Sequence, residues 1–264
     1  MTSPKYDDDL RLALILADQV DAITMSRFKA LDLKVESKPD SSPVSDADRT
    51  AEEVIRAQLG RSRSRDSIVG EEYGTTGHSS RKWIIDPIDG TKNFIRGVPV
   101  WATLIALAED DEIVMGVVSA PALNRRWWAA KGTGAWTGRS LSQATRLRVS
   151  GVKDLADASI SYSSLTGWRD LGLREKFIDL TDEVWRTRAY GDFWSYMMVA
   201  EGVVDAAMEP ELELYDMAAL VPIVTEAGGT FTSVDGTVTG PWGPNGMASN
   251  GLLHQELISK LAQE

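Results

Sequence analysis

Cysteine is absent from the chain. Its absence excludes disulfides, a thiol nucleophile and a cysteine-based zinc centre, and it fits a reducing compartment. Histidine is nearly absent: His78 sits in the Gly/Ser/Thr-rich stretch GTTGHSS and His254 near the start of the last helical stretch. Neither has a partner at metal-ligand spacing, which disfavours a Ser-His-Asp triad and a histidine-rich zinc or iron site. Any chemistry falls to carboxylates and hydroxyls. No apolar run approaches the roughly 18–20 residues of a membrane span. The N-terminal MTSPKYDDDL is acidic where a signal peptide is basic and then apolar, so a cytoplasmic location is expected. Basic residues are in the minority, with 28 Lys and Arg against 39 Asp and Glu and a formal net charge of -11. A nucleic-acid partner, which needs clustered Lys and Arg, is disfavoured. The basic run RSRSR at 61–65 reads as a solvated loop. The acidic excess is compatible with a divalent metal.

What is present is an ordinary globular composition, 43% hydrophobic and 25% charged over 264 residues, enough for one large domain or two closely packed lobes. Leu10, Ala13, Leu14, Ala17, Val20 and Phe28 recur at helical spacing over 7–31. ESKPDSSPVSD interrupts with two prolines, and Asp46 is placed to cap a helix running to about Leu59. SIVGEEYG and WIID read as short strands, WATLIALAED and EIVMGVVSAP as a hairpin, and RRWWAAKGTGAW as its continuation. The first half therefore reads as helices on an antiparallel sheet. After about residue 150, strand-like ASISYSS, WRTRAY, VVDAAMEP, GTFTSV and MASN alternate with helical LREKFIDLTDEV, DFWSYMMVAEG and YDMAALVPIVTEAGG, and a last helix starts near Leu252. That alternation predicts an α/β second lobe and a cleft between the halves.

The stretch WIIDPIDGTKNF at 83–94 holds the densest chemistry. In a regular strand Asp86 and Asp89 would point to opposite faces. Pro87 ends the regular ladder, and the turn beyond it can bring both carboxylates to one point with the Ile88 carbonyl beside them. Gly90 permits close backbone approach, and the Gly90 and Thr91 amides can face an anion. Hard oxygen ligands of this kind select Mg2+ or Mn2+ over zinc. An acidic turn closed by Gly-Thr is the structural alternative. Glu71 and Glu72 follow another strand, Asp46 and Asp48 stand at a helix start, and Asp216 opens a helix after a strand. Each has a bland reading, as an N-cap or a solvent-facing acid. Their joint occurrence at element ends favours a metal site.

GEE, WIIDPIDGTKNF and YDMAALVPIVTEAGG, in that order, resemble the inositol monophosphatase family of metal-dependent phosphatases, over about residues 35–251. The resemblance implies a mixed α/β (α+β) fold: a layered α-β-α-β-α sandwich of the sugar-phosphatase type, with an antiparallel sheet in the first lobe and a smaller mixed sheet in the second. It implies a single catalytic domain over 1–264, with most metal ligands in a first lobe of about 1–150, and Asp216 and the substrate pocket in the second. Glu71, Asp86 and the Ile88 carbonyl would hold one Mg2+, and Asp86, Asp89 and Asp216 a second. A third, weaker ion would bind near Glu71. Asp48 and Thr91 would form a hydrogen-bonded pair that activates a water, giving Glu71, Thr91 and Asp48 catalytic roles. Asp89, Gly90, Thr91 and Asp216 would border the phosphate ester. Two metals can clamp the attacking and leaving oxygens of an in-line displacement without a covalent intermediate.

Within the family, YGDFWSY at 190–196 and PELELYDMAALVPIV resemble the histidinol-phosphate phosphatase branch, where inositol monophosphatases carry a GTAA-like stretch. Asp192 could pair with the ammonium or imidazole of histidinol phosphate. Glu209 matches a position that contacts the alcohol part of the substrate, and Arg188 is a candidate substrate contact. Asp192 as a helix N-cap and Arg188 as a surface or interface residue are the structural alternatives. Trp194 and Tyr196 read as core or dimer contacts, and Trp127, Trp128 and Trp136 as packing or interface groups. A homodimer is implied by resemblance alone. Asp46 stands where it could reach a third metal or cap its helix, and KPDSSPVSD, with Lys38, reads as a candidate lid. The expected reaction is Mg2+-dependent hydrolysis of histidinol phosphate in histidine synthesis, by metal-activated water attack. The alternatives are an inositol-1-phosphate or broad sugar-phosphate phosphatase, and a catalytically dead binding relative, disfavoured by the complete acidic set.

Overall fold

Three aspartates, Asp7 to Asp9, begin helix α1 (Asp7–Arg27), where negative charge complements the helix dipole. The computed structural model describes residues 5–262; the first four residues of the acidic N-terminal stretch and the last two of the chain lie outside them. Helix α1 buries Leu10, Ala13, Leu16, Ala17 and Val20, while Leu14 stays half-buried. It stops short of residue 31 because the backbone turns at Phe28, with Lys29 at φ 63°, and Phe28 packs on Phe94 and Trp101 instead.

The proline-bearing stretch between the first two helices contributes a two-stranded ribbon, β1 (Val35–Ser37) with β2 (Pro43–Ser45). Helix α2 (Asp46–Ser62) follows. Its cap is Ser45 rather than Asp46: the Ser45 hydroxyl accepts the Ala47 amide at 3.2 Å, and Asp48 accepts the Ser45 amide at 2.8 Å. Asp46 pairs with Arg27 at 2.8 Å. The helix consumes the start of RSRSR, and Arg63 binds Asp9 at 2.8 Å, so that run is not simply a solvated loop.

Eight strands make the first sheet: β3 (Ser67–Gly70), β4 (Gly74–Thr76), β5 (Arg81–Asp89), β6 (Ala102–Glu109), β7 (Glu112–Ala120), β8 (Arg125–Ala130), β9 (Ala135–Ser140) and β10 (Gln143–Arg146). Their order is β10-β9-β8-β7-β6-β5-β3-β4, antiparallel except for the parallel β3–β5 pair. Asp110 and Asp111, both at positive φ, turn β6 into β7 as hairpin turns require. A short helix not foreseen from the pattern, α3 (Thr91–Arg96), follows β5.

The second sheet runs β12 (Arg186–Arg188), β11 (Ser159–Tyr162), β13 (Ala206–Glu209), β15 (Gly246–Ser249), β14 (Thr230–Thr232). It is mixed: β11 is parallel to β12 and β13, and the other pairs are antiparallel. Helices α6 (Asp192–Ala200), α7 (Leu214–Ala218) and α8 (Leu220–Glu226) lie between the sheets. Helices α4 (Leu165–Asp170), α5 (Arg174–Glu183) and α9 (His254–Leu261) cover the outer face of the second sheet. Period-two alternation joins the layers. Trp83 and Ile85 face α1 and α2, whereas Ile84 faces the inner helices. Ala207 faces the inner helices, whereas Ala206 and Met208 face the outer ones. The result is the five-layer α-β-α-β-α order. The helix expected over YDMAALVPIVTEAGG is broken at Ala219, because Pro222 has no amide to give the Ala218 carbonyl.

Candidate active site and metal centre

The two aspartates of IIDPID converge through a bulge. Asp86 pairs with Leu104 and Asp89 with Ala102, so three steps on β5 oppose two on β6. The extra residue restores the side-chain parity that a regular strand would deny. Pro87 therefore lies inside the strand rather than ending it, and its carbonyl accepts the Thr103 hydroxyl at 2.8 Å. Asp216 joins from the first turn of α7, where its carboxylate accepts the Glu213 amide at 2.7 Å; Glu213, not Asp216, is the N-cap. Carboxylate oxygens of Asp86, Asp89 and Asp216 lie within 4.8 Å of one another. Burial, then repulsion from Glu71 and the other aspartates, pushes Asp86 well above the usual carboxylate range. Asp89 rises likewise, through burial and then Asp192 and Asp216. Burial lifts Asp216 to about 7 against the Glu213 hydrogen bond. This cluster of hard oxygens in mutual repulsion fits a divalent cation, which would relieve the repulsion.

Glu71 follows β3, its amide bonded to the Ile85 carbonyl at 3.2 Å, which sets it beside Asp86. Its carboxylate is 2.6 Å from the Lys38 ammonium, which also lies 2.7 Å from Glu72. Glu72 is not the solvent-facing acid of the structural alternative: burial pushes it to about 7. Thr91 Oγ1 is 3.2 Å from Asp48 Oδ1 and 3.0 Å from the Ile88 carbonyl. One hydroxyl proton serves one acceptor at a time, so engaging the Ile88 carbonyl elsewhere directs that proton to Asp48. Asp48 is fully buried, and burial raises its pKa.

Gly90, at φ 84°, takes a conformation suited to glycine, and a Cβ there would come within 3.0 Å of the Val100 carbonyl and 3.4 Å of Asp192. Asp192 does not cap α6. Gly191 is the N-cap residue, and the Phe193 amide donates to Asp89 at 2.8 Å. The Asp192 carboxylate turns to Asn93, whose side-chain amide donates at 2.8 Å, and burial raises it to about 6 despite Lys92 and Asn93. Asn93, missed in the sequence, could have been noticed as a polar side chain just behind the DGT turn. Glu209, at the end of β13, is buried and pushed up to about 8, mainly by burial and then by Asp192. Its Oε1 has no hydrogen-bond partner among the described residues. A cleft of about 510 Å³ opens onto Lys38, Glu71, Thr91, Lys92, Asp192 and Asp216.

Arg188 does not line this cleft. It is exposed on edge strand β12, donating to the Thr187 carbonyl at 2.7 Å. Asp46, held by Arg27, does not join the acidic cluster either. Tyr196 is fully buried and stacks on Phe231, Trp194 packs on Tyr190, and Trp127 and Trp128 are buried on opposite faces of the first sheet.

Fold and acidic cluster together are those of a sugar-phosphatase-type phosphomonoesterase. The inositol monophosphatase family profile matches residues 6–264, and the chain belongs to that family and is a phosphoric monoester hydrolase. It is 64% identical to the histidinol-phosphatase of Streptomyces coelicolor, covering 98% of this chain and 99% of the relative. It is 58% identical to the histidinol-phosphatase of Mycobacterium tuberculosis, covering 96% and 98%. A solved inositol monophosphatase from Zymomonas mobilis superposes with a TM-score of 0.86 at 32% identity, covering 98% of this chain and 99% of that one.

Proposed function

We propose that the chain hydrolyses histidinol phosphate to histidinol and orthophosphate with Mg2+, a late step of histidine synthesis. The observation that carries the choice is Asp192 on the cleft wall beside the acidic cluster, with buried Glu209 near enough to feel its charge. Two carboxylates suit a substrate bearing an ammonium and a protonatable imidazole, and an inositol offers only hydroxyls in return. The names of the two relatives above support the same choice.

Mg2+ held by Glu71, Asp86, the Ile88 carbonyl, Asp89 and Asp216 would offset phosphate charge and lower the pKa of the attacking water; a third ion near Glu71 and substitution by Mn2+ belong to the same proposal. This chain's side chains do the rest. Thr91, its hydroxyl proton directed to Asp48, takes a proton from the nucleophilic water as the water oxygen bonds to phosphorus and passes its own proton on to Asp48. The ester P–O bond breaks, the leaving alkoxide takes a proton from a solvent water to give the alcohol, and Asp48 returns its acquired proton to solvent, which closes the balance. The Gly90 and Thr91 amides supply donors to the phosphate, and Asp192 and Glu209 hold the cationic end. Arg188 keeps a proposed role as a substrate contact through its charge alone. One catalytic domain formed by both lobes is supported by Asp216 joining Asp86 and Asp89. A homodimer rests on the family resemblance. A cytoplasmic site of action is compatible with there being no helix, among the described residues, long and apolar enough to cross a membrane.

The test is phosphate release from histidinol phosphate and from inositol-1-phosphate, with Mg2+ and with EDTA. The expected result is Mg2+-dependent turnover strongly favouring histidinol phosphate. Preference for inositol-1-phosphate would overturn the substrate and leave the metal site standing.

A further inference from the structure

Helix α2 turns three polar side chains inward at four-residue intervals, Asp48, Glu52 and Arg56, all on one face. Asp48 reaches Thr91. Glu52, with no exposure at all, reaches the turn after β3. Its Oε2 accepts the Glu72 amide at 2.7 Å, and its Oε1 accepts the Tyr73 amide at 3.2 Å and Arg56 Nε at 2.6 Å. Arg56 also donates to the Gly74 carbonyl and to the Thr76 hydroxyl, so the guanidinium clasps the far side of the same turn. With the Glu71 amide on the Ile85 carbonyl, three consecutive amides, 71 to 73, are held by named acceptors.

The carboxylate occupies a slot that a side chain at Gly70 would fill. A Cβ there would lie 2.0 Å from Glu52 Oε1 and 2.4 Å from its Cδ. Gly70 is not needed for a left-handed φ, since its backbone is not in that region; it is needed for space. The GEE motif thus contains a glycine whose task is to admit an acid from another helix.

We infer that Glu52 is a positioning residue for the metal-ligand turn, fixing the backbone of Glu71 and Glu72 in the geometry that admits a cation. The inference rests on the proposed role of Glu71 as a metal ligand. Outer partners that orient ligands are worth about 10–100-fold in metal affinity. A glutamine at 52 turns an NH2 group toward at least one of three donors, so the turn loses an anchor while the shape is kept.

The experiment titrates Mg2+ into metal-free wild type, Glu52→Gln, Arg56→Lys and Glu71→Gln by calorimetry, and follows amide exchange across residues 68–76. Glu52→Gln is expected to weaken Mg2+ binding about 10–100-fold and to speed exchange at the Glu72 and Tyr73 amides. Its kcat at saturating Mg2+ is expected to stay within about threefold, because the loss lies in ligand placement rather than in the reacting groups. Arg56→Lys, a milder change at the same contact, should shift affinity in the same direction and carries the test if Glu52→Gln does not fold. A folded Glu52→Gln or Arg56→Lys with unchanged Mg2+ affinity and exchange overturns the inference. If Glu71→Gln weakens Mg2+ binding in that same case, only the positioning role fails; if Glu71→Gln too binds as wild type, the ligand role of Glu71 fails with it.

Discussion

The Lys38 ammonium is bound between two adjacent glutamates, 2.6 Å from Glu71 and 2.7 Å from Glu72, where the ribbon β1–β2 meets the turn after β3. A tethered cation there competes with any ion that uses Glu71. Lys38→Met is expected to lower the stability of the metal-free protein by about 1–3 kcal/mol, since it leaves two neighbouring, largely buried carboxylates uncompensated. It should also tighten the weakest Mg2+ binding step several-fold. Melting in EDTA and Mg2+ calorimetry check both, and a variant with weaker Mg2+ binding at every step would show that Lys38 assists the ions instead.

Asp89 is pushed well up by burial and by Asp192 and Asp216, so its charge costs stability when no cation is present. Asp89→Asn keeps an oxygen for the Phe193 amide and removes that charge. Turnover should fall about 10^3-fold or more. The metal-free melting temperature should rise about 2–4 °C, the shift that roughly 1 kcal/mol gives in a chain of this size. Steady-state rates and EDTA melts measure the two effects, and a variant retaining most of its rate would remove Asp89 from the site.

Asp192, Asp216 and Glu209 sit at about 6, 7 and 8 in the folded chain, against roughly 4 when unfolded. Folded-state values raised above unfolded ones mean the native state holds protons that the unfolded state has released. The stabilisation this gives is complete below about pH 4 and is lost as pH rises through 6 to 8. Denaturant melts in EDTA should therefore show these groups lowering stability from pH 5 to pH 8. Saturating Mg2+ should flatten the loss, and an equally steep loss with Mg2+ would argue against cation binding by the cluster.

Asp192 is bonded to Asn93 and faces Lys92, so an asparagine there keeps the size and loses the charge. Asp192→Asn should cut kcat/KM for histidinol phosphate about 10–100-fold and change inositol-1-phosphate hydrolysis far less. Equal losses on both esters would return Asp192 to a packing role.

The elements that position the site were legible where pattern and motif coincide. WIIDPIDGTKNF announced converging acids, and β6 through β9 follow the expected meander. The means of convergence was not legible, because a bulge is defined by the partner strand and Ala102 to Leu104 give no local sign of it. Glu52 was invisible for a related reason. On α2 it is one acid among several, and only the packing of Gly70 against it reveals a task. Strands of three residues, as in β1 and β2, are too short to show a period. Arg188, near Asp192 in sequence, is exposed on β12 and is not among the residues lining the cleft that Asp192 enters.

A Cβ on Gly116 would lie 2.2 Å from the Ala219 carbonyl, so the junction of α7 and α8 rests directly on β7. Asp216, three residues earlier, is thereby seated on the same slab as Asp86 and Asp89, although it comes from the other half of the chain. The proposed catalytic floor is thus built on packed β-sheet from both halves of the chain. If the proposed site holds, retuning such an enzyme for another alcohol is a matter of exchanging its rim, residues 190–196 and the end of β13, while the floor beneath is left as it is.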